Sequence, residues 1–314
     1  MGISTGIAWT RSTRNFWSGC TKIGPGCDGC YAEASSRRMR GQYIPLVKAA
    51  DGAYEPPPQP MANNWGPGKP RIPHLEGADR DLRKWNRACT RERTMVHQKR
   101  KLDTEWPYPG FWPVFLNSYS DSFDNEAPQD WRRIMFTTIE ECPALTLLLV
   151  TKRVGNVASM LEGRWKDGAP RNVWLLITVV NQGELDRDGP KLLDLAERFQ
   201  FSVVGLSMEP QLAPIDAGPF LKAAAQQEQV VWGITGGESA QNTHPARPYY
   251  LEWAIDLAQQ FAEAEQPFFV KQLGHQPEFR GVPYEYGTGK RDDPKKWPEV
   301  LRVQEFPRAA HGPR

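Results

Sequence analysis

Three of the chain's five cysteines, Cys20, Cys27 and Cys30, fall in one stretch, FWSGCTKIGPGCDGCYAE at residues 16–33. Their spacing is C-x6-C-x2-C, in a loop rich in glycine and proline. An odd number of cysteines dominated by one cluster is no disulfide framework; it points to soft-metal ligation in a reducing compartment.

Two metals suit three thiolates. A structural zinc wants four ligands, and His74, His97 and Cys89 are the candidates for the fourth, none at a paired spacing. A catalytic zinc with three thiolates and a water lacks its usual nearby His-x-Glu base. A [4Fe-4S] cluster held by three thiolates leaves the fourth iron open to a substrate. S-adenosyl-L-methionine is a ligand of that kind: its amino and carboxylate groups chelate the open iron, and reduction yields a 5′-deoxyadenosyl radical. Gly19, Gly24, Gly26 and Gly29 let the backbone wrap close to the sulfurs, Pro25 stiffens the loop, and Tyr31 is placed to pack against cluster or adenine. The residues alone leave iron–sulfur and zinc both open.

The elements that must position this loop begin at about residue 113. PVFLNSYSD (113–121), LTLLLVTKR (145–153), NVWLLITVVNQ (172–182), FSVVGLSMEP (201–210), QVVWGITGGES (229–239) and PFFVKQLG (267–274) read as buried strands. Between them lie helices: 127–141, a short one from 156, 190–200 with Pro190 at its start, and 248–265. Continuous apolar strands alternating with helices mean a parallel α/β sheet covered on both faces. A partial or full (βα) barrel is the expected closure, with a doubly wound open sheet as the alternative. Each strand ends in polar residues: Asn117, Ser118, Ser120 and Asp121; Lys152 and Arg153; Asn181; Glu209; Gly236, Gly237 and Glu238; Lys271. That is the face where such folds place their chemistry.

The chain has 314 residues and a net charge of +2, which by itself does not imply nucleic acid. No signal peptide is evident, and LTLLLV at 145–150 is too short to span a bilayer. A soluble, cytoplasmic protein is expected. Residues 1–292 read as one domain, with a Pro/Gly-rich and basic insertion at about 40–110 and a frayed polar tail at 293–314. The insertion carries nine basic residues between Arg80 and Lys101, able to touch a phosphate backbone or simply to face solvent. Twelve tryptophans, among them Trp65, Trp85, Trp106, Trp112 and Trp131, supply either rim packing or a stacking surface for a flat substrate.

The string NFWSGCTKIGPGCDGCYAEA resembles the opening signature of a phage-associated family of three-cysteine proteins grouped with the radical S-adenosylmethionine enzymes. FLNSYSDSFDNEAP, LLLVTKR, VWLLITVVNQ, VVGLSMEP, WGITGGESAQNTHPARP and FFVKQLG resemble its later strand ends, so the likeness covers most of residues 6–275. The family's usual WNP before the cysteines is NFW here. The resemblance implies a radical-SAM partial barrel with the cluster loop near its first strand. Phage context suggests hypermodification of a thymine or uracil in DNA, with an electron donor such as flavodoxin or ferredoxin.

On this reading Cys20, Cys27 and Cys30 bind the cluster. Ser118, Ser120 and Asp121, helped by Asn117, hold the methionine amino group, while Gly236 and Gly237 admit the ligand backbone and Glu238 accepts from an ammonium or ribose hydroxyl. Lys152, Arg153 and Arg247 pair with a carboxylate or phosphate. Glu209 and Lys271 point into the mouth and pair with each other, with ligand or with a neighbouring tip. Asn181 completes the cofactor-binding set, and Lys152, Glu209 and Lys271 are the candidate catalytic residues. Cys142 reads as a small buried hydrophobe. The alternative is a zinc-stabilised protein that grips nucleic acid without catalysis.

Overall fold

The computed structural model describes residues 5–39, 47–48, 54–55, 64–102, 104–161, 163–241, 244–285, 289 and 291–308. Seven strands form one sheet: β1 (Ser12–Arg14), β2 (Pro113–Leu116), β3 (Thr146–Thr151), β4 (Val173–Thr178), β5 (Val203–Met208), β6 (Val230–Gly236) and β7 (Phe268–Gln272). They lie side by side in chain order, and every neighbouring pair is parallel. The sheet curls into a half-barrel whose two edge strands do not meet among the described residues. Side chains alternate across it, as strand geometry requires. Leu147, Leu149, Leu175, Val204 and Val270 face a helix-covered core, while Leu148, Trp174, Leu176, Trp232, Ile234 and Phe269 fill the concave side with Trp9 and Phe111.

Helix α1 (Tyr31–Met39) follows Cys30, and α2 (Leu75–His97) precedes β2. The remaining crossovers are α3 (Gln129–Glu140), α4 (Val154–Leu161), α5 (Gln182–Phe199), α6 (Gly218–Gln226) and α7 (Leu251–Glu263). Three expectations need correction. The basic stretch is no insertion: α2 is the crossover helix of the first βα unit, burying Ala78, Leu82, Trp85 and Cys89. Its apolar positions were hidden among charges, and Trp85 stacks on Trp112. The rest of the expected insertion, residues 40–46, 49–53 and 56–63, lies outside the described residues. Helix α5 begins before Pro190, which sits inside it, because the Asn181 side-chain Oδ1 accepts from the Glu184 backbone N–H at 2.9 Å and caps the chain there.

The tail is also not frayed as far as Arg308. Val270 N–H donates to Val303 O and Glu305 N–H to Phe268 O, both at 2.9 Å. Trp297 and Leu301 are buried, and Phe306 joins the concave aromatic cluster against Trp232 and Phe269. Its few apolar side chains close the open end of the half-barrel interior. Most of the tryptophans are thereby explained as packing; Trp9 and Trp65 also reach the site described below. Among the described residues no helix is long and apolar enough to cross a membrane.

One buried titratable group ties α2 to the cysteine loop. His74, just before α2, donates its backbone N–H to Phe16 O at 2.7 Å, and its Nε2 lies 3.1 Å from Ser18 Oγ. Burial, and secondarily Arg14, lowers its pKa from 6.5 to about 4. The neutral ring is the folded form, so its contribution is present above the unfolded value and is lost as pH falls toward 4. At roughly 1.4 kcal/mol per pH unit the loss amounts to about 3 kcal/mol. Denaturant titrations at pH 6.5 and 4 should show this fall, and His74→Gln should show a smaller one. Equal falls in the two proteins would rule the histidine out.

Candidate functional site

The carboxyl ends of the strands and the cysteine loop enclose a cavity of about 390 Å³, a size ordinary for a ligand pocket. Cys20, Cys27 and Cys30 all line it, and all three are free thiols. Three clamps hold their loop in place.

The first clamp holds Cys20. Arg153 Nη1 lies 3.4 Å from Cys20 Sγ and donates to Asp121 Oδ2 at 3.1 Å, while Nη2 donates to Thr21 O at 2.7 Å. Asp121 also accepts from Thr151 Oγ1, Phe123 N–H and Lys152 N–H. Burial pushes the Cys20 thiol up to about 12 against the opposing charge of Arg153.

The second clamp is Arg71, whose buried guanidinium donates to Asp124 Oδ2 at 2.7 Å and Thr21 Oγ1 at 3.0 Å and also pairs with Glu126. Gly19 lies at φ +105°, and a Cβ there would stand 2.4 Å from Asn64 O, so only glycine passes.

The third clamp holds Cys27 and Cys30. Arg247 makes a bidentate pair with Glu238 (Nε to Oε2 2.8 Å, Nη2 to Oε1 2.6 Å) and reaches on to Asp28 Oδ2 at 3.2 Å and Pro25 O at 3.0 Å. The loop lies so close that a Cβ on Gly29 would stand 2.5 Å from Glu238 Oε1. Burial raises the Glu238 carboxyl, but Arg247, with help from His244, outweighs it and leaves the group below the usual carboxylate range. Burial likewise raises the Cys30 thiol, opposed by the backbone N–H groups of Glu33 and Ala32 at the start of α1.

Two features remain for a ligand. Lys152 lines the cavity beside Gly26, and its ammonium has no ion-pair or hydrogen-bond partner among the described residues. Deeper in the same cavity Glu209 and Lys271 pair at 2.7 Å, and Trp9 Nε1 donates to the other Glu209 oxygen at 3.0 Å. The Tyr31 ring lines the mouth, 40 % exposed, with its hydroxyl donating to Ser118 O at 2.9 Å.

The expected site residues thus divide. Lys152, Glu209, Lys271, Tyr31, Ser118, Ser120, Gly237 and the cysteines line the cavity. Asp121, Arg153 and Glu238 line it too, but their polar atoms are engaged in holding the loop, and so is Arg247. Ser120 Oγ donates to Trp17 O, which leaves it only accepting capacity for a ligand. Asn117 sits outside the cavity in a left-handed conformation, φ 57°, accepting from Phe16 N–H inside the core. Asn181 caps α5, and Gly236 marks a register shift between β6 and β7. Unforeseen lining residues are Trp9, Thr178, Ser207 and Gln272. Thr178 and Ser207 did carry a signal, being polar positions at the ends of otherwise apolar strands. Trp9 carried none.

Of the fourth-ligand candidates for zinc, His74 reaches the start of the loop, its Nε2 3.1 Å from Ser18 Oγ, while Cys89 and His97 do not line the cavity. Cys89 Sγ bonds to Ala144 O at 3.2 Å, beside the amino end of β3, and His97 lies farther along α2. Among the described residues no three His, Cys, Asp or Glu side chains converge on one point. Cys142 is fully buried, as expected of a small hydrophobe.

A family model described as protein of unknown function, DUF5131, matches residues 4–300. The chain belongs to the DUF5131 family. The matched span contains every strand of the half-barrel, the cysteine loop and all three clamps. No curated protein and no solved structure matches the chain.

Proposed function

We propose that this chain is a radical S-adenosylmethionine enzyme in which Cys20, Cys27 and Cys30 hold a [4Fe-4S] cluster at the mouth of the half-barrel. The observation that carries the reading is the set of three soft thiols on the wall of one cavity, without a fourth cysteine near it, facing a free ammonium and a buried acid–base pair. The donor set fits: thiolates are the ligands that iron–sulfur clusters take, and three leave one iron open. The loop itself is cradled so closely at Gly19 and Gly29 that its backbone has one place to lie.

When bound, such a cluster supplies one-electron cleavage of S-adenosylmethionine at its open iron. The chain's residues do the rest. Arg153 keeps a fixed positive charge against Cys20 and favours its thiolate. Lys152 offers a partner for the ligand's carboxylate, and Tyr31 and Phe115 offer flat surfaces for a purine ring. The aromatic filling of the concave side closes the cavity from below and keeps bulk water out. Glu209 and Lys271 present an acceptor and a donor side by side to whatever occupies the floor. The substrate class proposed is a DNA base, taken from the family resemblance, with a flavodoxin- or ferredoxin-type electron donor.

Protein purified without oxygen should contain about four irons and four sulfides per chain, show brown absorbance, and release 5′-deoxyadenosine when reduced with S-adenosylmethionine. Cys27→Ala should lose both iron and turnover. One zinc per chain without visible absorbance would overturn the proposal in favour of a zinc-stabilised binding protein.

A further inference from the structure

Helix α2 carries two stripes of different character. Ala78, Leu82, Trp85 and Cys89 are buried, and Arg80, Lys84, Arg87 and Arg91 are exposed. Both sets have the spacing i, i+4, i+7, i+11, and they are offset by two residues. At about 100° per residue that offset sets them on opposite sides of the helix. The basic stripe is about 16 Å long at roughly 1.5 Å per residue.

The helix's acidic residues do not neutralise it. Asp79 pairs with Arg83 at 2.9 Å, Asp81 with Arg14 at 3.1 Å and Glu92 with Arg11 at 2.7 Å. Arg80, 77 % exposed, only leans on the already shared Asp81 at 3.5 Å. Lys84, Arg87 and Arg91 have no ion-pair or hydrogen-bond partner among the described residues. Glu76, in the first turn, is the one exposed acid of α2. Just past α3, Glu141 is taken up by Arg83, and within it Asp130 pairs with Arg133. The amino end of α2 follows directly on His74, whose ring touches Ser18, two residues before Cys20.

We infer that the outer face of α2 is a nucleic-acid backbone-binding surface, with Arg80, Lys84, Arg87 and Arg91 contacting successive phosphates of a strand that leads toward the cavity mouth. Three of the four are arginines, whose planar fork matches phosphate oxygens in pairs. An evenly spaced row of cations on a straight rod matches a polymer with regular charge spacing better than the irregular carboxylates of a protein surface. The surface rests on α2 alone and needs no cluster, so it stands or falls separately from the radical reading.

The test is fluorescence anisotropy with labelled 30-nucleotide single-stranded and duplex DNA of mixed sequence, from 50 to 200 mM NaCl. Four phosphate contacts give the wild type a log–log salt slope of about −3 to −4, at roughly 0.7 to 0.9 per phosphate. A variant combining Arg80→Gln, Lys84→Gln, Arg87→Gln and Arg91→Gln should lose nearly all of that slope and at least tenfold in affinity at 50 mM, with an unchanged circular-dichroism spectrum. Lys166→Gln, Lys222→Gln and Lys295→Gln, exposed and off the stripe, should leave both unchanged. No binding at 50 mM, equal loss in the off-stripe variant, or binding only to anionic vesicles or an acidic protein would overturn the proposal.

Discussion

Asp121→Ala is expected to destabilise the protein by about 3–5 kcal/mol, the cost of stripping the partner from a buried charge. The Asp121 and Arg153 side chains are each only 7 % exposed, and the carboxylate accepts from four donors on two different strand ends. Its removal leaves a guanidinium in a dry site with only Cys20 Sγ and Thr21 O to face. Arg153→Met alone should cost a similar amount, because it strands the carboxylate instead. The double variant should be markedly more stable than the sum of the two, since it buries no unpaired charge. Urea unfolding of all four proteins gives the coupling energy. Additive losses within about 0.5 kcal/mol would mean that the two residues do not act as a pair. The same variants should label faster at Cys20 than the wild type in a mass-resolved alkylation time course, because Arg153 is what ties that end of the loop down.

Arg247→Met should release the other end. Two side-chain hydrogen bonds to Glu238 and two to the loop, at Asp28 and Pro25, disappear together; the backbone N–H of residue 247 keeps its own bond to Glu238. The expected cost is about 3 kcal/mol, for a largely buried carboxylate left with the His244 ring 3.5 Å away as its side-chain neighbour. The pH dependence should change sign as well. In the wild type the Glu238 pKa is depressed, so its contribution is present above the ordinary glutamate value and is lost on acidification. In the variant burial dominates and the pKa is raised, so the Glu238 contribution is greatest in acid and falls as pH rises through the new value, and the deficit of the variant against the wild type narrows on acidification. Melting temperatures from pH 3.5 to 7 distinguish the two cases. A variant curve parallel to the wild type would show that Arg247 does not control this carboxylate. Proteolysis within residues 21–29 should accelerate only if the loop has come free.

The parallel α/β character was legible in the sequence because six of the seven strands are runs buried at all positions or all but one, and such runs have no use outside a covered sheet. The site's location was legible for a related reason. Polar residues end each of these strands, and parallel strands must put their ends on one side. The first strand was not legible. Ser12–Arg14 is three residues long, and its partners come from β2 on one side and Asp81 of α2 on the other. Nothing in STR distinguishes such an edge strand from a loop. The basic helix was misread for the opposite reason: one residue in four facing the core is enough to seat α2, while the charges dominate its composition.

The sequence by itself determined the donor chemistry, three thiols on one short glycine-rich loop, and the fold class that would carry it. Covalent spacing and strand periodicity are local properties, and they survive without knowledge of what packs where. Only the tertiary structure decided which polar strand ends face the ligand and which hold the loop. Asp121, Arg153, Glu238 and Arg247 looked like ligand contacts and proved to be mutual partners, because a buried charge takes the nearest opposite charge; that Arg153 also meets Cys20 and Arg247 also meets Asp28, 133 and 219 residues away, is set by the curl of the sheet. Lys152, next to Arg153 in sequence, was left free by the same rule: both line the cavity, but Asp121 pairs with the Arg153 guanidinium and gives Lys152 only its backbone contact.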